Sequence, residues 1–206
     1  MYFGGLCFIT DHNTGGLSFL DMTQAVLRAG VGWVQYRNKN ASRRKVYEEA
    51  VKLKDLAGKH NAVFIVNDYS DIALAVDADG VHLGQDDLPV KEARKILGKG
   101  KIIGVSTHCI EQALEAEQAG ADYLGFGPIF HTATKDAGSP KGTEMLRAIK
   151  DRVSIPVIAI GGINLHNLNS VLETGADAVA VASAIAKGDI EGNARKFMEI
   201  INNRSY

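Results

Sequence analysis

Cysteine is scarce in this chain. Only Cys7 and Cys109 occur among 206 residues, and their separation matches no metal-ligand or redox spacing. Both fall in or beside apolar runs and are expected to be buried free thiols, as in a reducing compartment such as the cytoplasm. Net charge is scarce too. A balance of −1 gives no bulk attraction for nucleic acid or an anionic membrane, and neither partner is expected. No apolar run approaches the roughly 18 residues of a membrane-spanning helix. The opening residues, Met1 to Gly5, carry no basic segment or cleavage site, so no secretory leader is expected. No Pro/Ser-rich boundary or low-complexity tract interrupts the chain, and residues 1–206 are expected to form one domain. With 46% hydrophobic and 23% charged residues, the composition is that of an ordinary globular protein with a sizeable core.

What is present is a regular alternation. Short apolar runs lie at Leu6–Thr10, Trp33–Tyr36, Ala62–Val66, Gly80–Leu83, Ile102–Val105, Tyr123–Phe126, Pro156–Ile160 and Ala178–Val181. Helical patterns separate them. Val46, Ala50, Leu53 and Ala57 mark one apolar helix face, with Ser42 placed as N-cap. Ile110, Ala113 and Leu114 mark another, and Ala194, Phe197, Met198 and Ile201 a third. Three stretches share one layout: Ala29 to Val34, Ala119 to Leu124 and Thr174 to Val179. In each a glycine ends a helix, a short turn follows, and a strand begins. Near-continuous apolar strands alternating with helices imply a parallel sheet covered by helices. Eight units of about 26 residues each fit a (β/α)8 barrel, an α/β fold. An open doubly wound sheet is the alternative.

In such a barrel the active site lies at the C-terminal ends of the strands. The polar residues released there have a charge logic. Strand two releases Gln35, Arg37 and Lys39; strand three, Asn67 and Asp68; strand four, Gln85, Asp86 and Asp87; strand five, Ser106 and His108; strand six, the segment running to Lys135. Arg37, Lys39 and Lys135 are cations. Asp68 and Asp87 offer the hard oxygen ligands that Mg2+ takes beside water and phosphate. Together these suit a diphosphate carried partly by Mg2+. Asp86 and Asp87 also suit a plainer role, opening the next helix. Gly161 and Gly162, followed by a helix, offer a second anion site, which Ala182 and Ser183 would complete. The loop from His131 to Gly142 is either a closing lid or a surface connection. Six scattered histidines show no zinc spacing. His82 faces either the barrel interior or the helix layer, and the roles of His108 and His131 are open.

These residues, in order, resemble a known family. Gln35-Tyr36-Arg37-Asn38-Lys39, Asn67-Asp68, His82 to Asp87, Gly104 to His108, Gly127 to Lys135, Ile160 to Ile163 and Ser183-Ala184-Ile185 look like the signatures of thiamine-phosphate synthases. The resemblance implies a (β/α)8 transferase. It would condense 4-amino-2-methyl-5-hydroxymethylpyrimidine diphosphate with a thiazole phosphate, plain or carboxylated. The products would be thiamine monophosphate and diphosphate. By the same resemblance, Asp68 and Asp87 would hold Mg2+, and Arg37, Lys39, Asn67 and Lys135 would bind the diphosphate. Gln35 and Ser106 would face the pyrimidine. Thr132 and Thr134 would contact the thiazole phosphate, with Gly162, Ala182 and Ser183 at its phosphate. Arg37, Lys39, Lys135 and Ser106 would form the catalytic set.

Two positions depart from the pattern. Asn38 and Tyr69 stand where acidic and charged residues are common, and neither is an expected ligand. Two rival readings remain. A thiazole tautomerase of the same barrel family would have no use for the metal carboxylates. A non-catalytic sensor of a phosphorylated ligand would bind without turnover. Small-molecule substrates are the expected partners, with a homo-oligomer possible.

Overall fold

A computed structural model describes residues 5–11, 16–132 and 138–203. Eight parallel strands close into a barrel in chain order. They are β1 (Gly5–Ile9), β2 (Trp33–Tyr36), β3 (Val63–Asn67), β4 (Gly80–Leu83), β5 (Ile102–Thr107), β6 (Tyr123–Phe126), β7 (Val157–Ile160) and β8 (Ala178–Val181). β1 pairs with both β2 and β8, which excludes the open sheet. The helices among the described residues are α1 (Phe19–Arg28), α2 (Arg43–Lys59), α3 (Ser70–Ala75), α4 (Val90–Leu97), α5 (Ile110–Gln118), α6 (Gly142–Lys150), α7 (Leu168–Leu172), α8 (Ser183–Ala186) and α9 (Ile190–Asn202). Among the described residues, no helix is long and apolar enough to cross a membrane.

Local chemistry sets these boundaries. The Ser42 hydroxyl caps α2 by accepting from the Lys45 amide at 3.3 Å, and Val46, Ala50, Leu53 and Ala57 form its buried face. Four turns that enter β2, β4, β6 and β8 share one device. Each helix ends on a left-handed residue: Gly30, Asp77, Gly120 or Gly175, with φ of 88°, 53°, 91° and 81°. Three of the four then place an aspartate before the strand. One oxygen of Asp79 accepts from the Phe64 amide and from Lys54, both at 2.8 Å. Asp122 takes Ile103 and Arg94 at 2.7 and 2.6 Å; Asp177 takes Val157 and Lys150, both at 2.7 Å. Each carboxylate thus ties an even strand to the preceding odd strand and to the helix before that odd one. The β2 turn has Gly32 at that position.

The core has two shells. One packs the outward faces of the strands against the helices. The other fills the barrel's interior with Cys7, Ile9, Trp33, Ile65, Ile102, Tyr123, Ile158, Ala178 and Ala180. Trp33 and Tyr123 meet edge to face at 5.1 Å between ring centroids. Gly104 makes this possible, because a Cβ there would sit 2.0 Å from the Tyr123 ring. The aromatic pair plugs the barrel.

Candidate active site

Period-two alternation carries each strand from this plug up to a cavity. On β1 the inward positions are Cys7, Ile9 and, just beyond the strand, Asp11. On β2 they are Trp33, Gln35 and then Arg37. On β3 they are Ile65 and Asn67, and on β5 Ile102, Gly104, Ser106 and then His108. In each series the lowest side chain is core and the highest lines a cavity of about 870 Å³, its open mouth included. β7 and β8 contribute Ile160, Gly162, Ala180 and Ala182 in the same way, joined by Ser183.

The polar floor is built from hydrogen-bonded groups. Gln35 Nε2 donates to Asn67 Oδ1 at 2.8 Å, a buried pair. His82 lies between Tyr123 and Ser106: Nδ1 is 2.9 Å from the Tyr123 hydroxyl and Nε2 is 2.8 Å from Ser106 Oγ. His82 therefore faces the barrel interior. The Cys7 thiol and Tyr123 phenol have pKa values pushed up by burial, so both stay protonated. Gln85 donates to the Ser106 carbonyl at 2.7 Å, and His108 Nδ1 donates to the Gly127 carbonyl at 2.6 Å. Thr10 Oγ1 accepts from the Arg37 amide at 2.9 Å and donates to the Arg37 carbonyl at 3.2 Å.

Beside the cavity stands a charged cluster. Lys39 Nζ is 3.3 Å from Asp68 Oδ2. Asp68 follows β3 with φ of 68°, a left-handed conformation that a short polar side chain tolerates. Burial, then the hydrogen bond and charge of Asp87, push the Asp68 carboxyl up to about 6 against the pull of Lys39. Two carboxylates close enough to raise a pKa form an all-oxygen donor pair, which a hard divalent cation fits. Among the described residues, no three His, Cys, Asp or Glu side chains cluster as a metal set.

Of the residues expected from the sequence, Gln35, Arg37, Asn67, Ser106, Thr132, Gly162, Ala182 and Ser183 converge on the cavity. Lys39, Asp68 and Asp87 do not line it and form the cluster beside it. Thr134 and Lys135 lie outside the described residues, as does the middle of the expected lid, residues 133–137.

Three expectations need correction. Asp86 and Asp87 do not open a helix: α4 starts at Val90 after Pro89, and Asp87 instead accepts from the Gly84 amide at 2.6 Å. Gly162 is not followed directly by a helix: Asn167 Nδ2 donates to its carbonyl at 3.0 Å within an intervening turn, and α7 begins at Leu168. Cys109 is half-buried at the N-cap of α5, because its side chain sits in a turn rather than in the core. Thr10 and Asp11 were missed, although reading strand ends from β1 onward would have reached them.

Comparison with known proteins gives the site its context. A family model described as thiamine monophosphate synthase matches residues 6–185. A thiamine-phosphate synthase from Chloroflexus aurantiacus is 50% identical over 200 residues, covering 96% of this chain and 92% of the relative. One from Shouchella clausii is 47% identical, covering 92% of each. The solved thiamine phosphate pyrophosphorylase from Pyrococcus furiosus superposes with a TM-score of 0.90 at 41% identity, covering 97% of this chain and 96% of that one. On this breadth of agreement the chain belongs to the thiamine monophosphate synthase family, transferases of thiamine biosynthesis.

Proposed function

We propose that this enzyme joins 4-amino-2-methyl-5-hydroxymethylpyrimidine diphosphate to a thiazole phosphate, releasing diphosphate and thiamine monophosphate. One observation carries the reading. A polar floor of Gln35, Asn67 and Ser106 lies between two unlike walls. The side at β2 to β4 is charged: Arg37 lines the cavity, and Lys39, Asp68 and Asp87 form the cluster beside it. The wall at β7 and β8 is small and uncharged, with Gly161, Gly162, Ala182 and Ser183. The first suits a diphosphate, the second a phosphate held by amides and a hydroxyl.

In this reading the bond between the pyrimidine methylene carbon and its diphosphate oxygen breaks first. The electron pair leaves with diphosphate, and the thiazole nitrogen then donates its lone pair to the methylene carbon. Arg37 and Lys39 hold the leaving group and stabilise its growing negative charge. Gln35 and Ser106 orient the pyrimidine ring through hydrogen bonds. Their own partners, Asn67 and His82, keep them in place. Gly162, Ala182 and Ser183 hold the thiazole arm, and Thr132 borders the cavity beside them. No proton needs to be removed from either reacting atom, so the Ser106–His82 hydrogen bond serves to position the hydroxyl rather than to activate it. Asp68 and Asp87 would hold Mg2+, which when bound supplies further charge neutralisation to the leaving diphosphate. Lys135 and Thr134 would join from the segment outside the described residues. The reaction belongs to the cytoplasm.

The test is product formation from the two substrates with Mg2+ and with EDTA. Thiamine monophosphate appearing only with the metal is the expected result. Folded protein that gives no product, while interconverting tautomers of the carboxylated thiazole phosphate in EDTA, would overturn the proposal.

A further inference from the structure

The β2 end presents its functional side chains inward and something equally specific outward. Gln35 and Arg37 line the cavity. The alternate residues Tyr36 and Asn38 face the helix layer, where they are 1% and 6% exposed. Both meet the same atom. The Tyr36 hydroxyl donates to Glu49 Oε2 of α2, and Asn38 Nδ2 donates to it at 2.9 Å. The other oxygen of Glu49 lies 3.6 Å from Lys45 Nζ. Burial, then the Glu49 hydrogen bond, push the Tyr36 phenol far above its ordinary range, so it stays a donor. The Tyr36 ring is also wedged edge to face against Phe19 of α1, at 5.5 Å.

Asn38 is held through Nδ2 by this contact, beside the Tyr36 hydroxyl. Its Oδ1 is buried and has no hydrogen-bond partner among the described residues. An amide turned the other way would set its oxygen against the Glu49 carboxylate, so the carboxylate fixes its orientation. Asn38 sits between Arg37 and Lys39, the two cations of the proposed diphosphate wall. The Arg37 backbone is fixed on the opposite side by Thr10. The segment carrying both cations is thus pinned from inside by a hydroxyl and from outside by one carboxylate.

We propose that Glu49, a residue of the helix layer outside the cavity lining, is a positioning residue for diphosphate recognition: through Tyr36 and Asn38 it sets where Arg37 and Lys39 stand. The inference rests on the function proposed above. It also accounts for an uncharged residue at position 38, because a carboxylate there would face Glu49 directly.

The experiment measures kcat, the KM of each substrate and the thermal midpoint in five variants. Glu49→Ala is expected to raise the KM for the pyrimidine diphosphate by about 10-fold or more, the scale seen when outer-layer support of a site is lost. The KM for the thiazole phosphate stays within about 2-fold. Glu49→Gln keeps an acceptor for both donors and raises the diphosphate KM by less than about 3-fold. Asn38→Asp sets two carboxylates together and behaves like Glu49→Ala. Adding Glu49→Gln to Asn38→Asp supplies an amide donor and restores most of the loss. The proposal is overturned if Glu49→Ala is silent or raises both KM values equally. It is overturned too if the double variant is no better than Asn38→Asp, a comparison that holds even if Glu49→Ala fails to fold. Arg37→Ala in the same assay separates the two claims. A large loss there beside a silent Glu49→Ala sinks only the positioning role. An unchanged diphosphate KM in Arg37→Ala sinks the diphosphate wall itself.

Discussion

His82 and Ser106 are joined by a 2.8 Å hydrogen bond at the floor of the cavity, and His82 reaches Tyr123 with its other nitrogen. Replacing His82 therefore acts in two places. His82→Leu removes the hydrogen bond between the imidazole and the buried Tyr123 phenol, costing about 0.5–1.5 kcal/mol of stability. It also frees the Ser106 hydroxyl, so kcat/KM for the pyrimidine diphosphate falls. Adding Tyr123→Phe should return part of the stability but none of the activity, read by denaturant midpoints and initial rates. Joint recovery of both would show that His82 serves packing alone.

The carboxylate pair makes a turnover prediction. Asp68→Asn or Asp87→Asn should lower kcat by at least about 10²-fold at saturating Mg2+, the scale of losing one charge-stabilising element. Asparagine can still accept from the Gly84 amide at position 87, so the fold should persist. Wild-type turnover in either variant would remove both residues from the metal role.

The raised Asp68 pKa sets a pH dependence with a definite sign. A carboxyl whose pKa rises from 3.8 to about 6 on folding contributes stability while protonated. That contribution is complete below about pH 4 and is lost as pH rises through about 6. Metal-free protein should lose thermal stability across that window, and Asp68→Asn should remove this component of the loss. Because Mg2+ requires the ionised carboxylate, its stabilising effect should be large at pH 7 and small at pH 5. Thermal midpoints in EDTA and in Mg2+ check this. Equal metal stabilisation at both values would contradict the assignment.

At the barrel's other end, Asp177 serves structure. It binds Lys150 and the Val157 amide, far along the strands from the cavity mouth. Asp177→Ala should cost about 1–3 kcal/mol by leaving that amide unpaired, with both KM values unchanged. A change in either KM without loss of stability would mean that the two ends are coupled.

How much of this was legible in the sequence varies with the physics involved. β2, β4, β6 and β8 were readable to the residue because each follows a helix-ending turn. β5 runs two residues further than its apolar stretch, because Ser106 and Thr107 still pair with β6. The repeated turn before β4 escaped notice since Asp77 takes the left-handed conformation where the others use glycine. The cavity residues followed from strand ends, and Asp11 was lost only because the first end was not taken. The inward direction of His82 was not legible. It depends on Gly104 and Gly125 leaving room for Tyr123 and the imidazole, a tertiary fact. The anchoring of Asn38 by Glu49 was likewise invisible, since it joins a strand end to a helix turn.

The most direct measurement is a crossed KM comparison of Arg37→Ala and Ser183→Ala with both substrates. The two-wall account predicts that Arg37→Ala raises the KM for the pyrimidine diphosphate and spares the thiazole phosphate. Ser183→Ala should do the reverse. Both variants weakening the same substrate, or each weakening both equally, would contradict it.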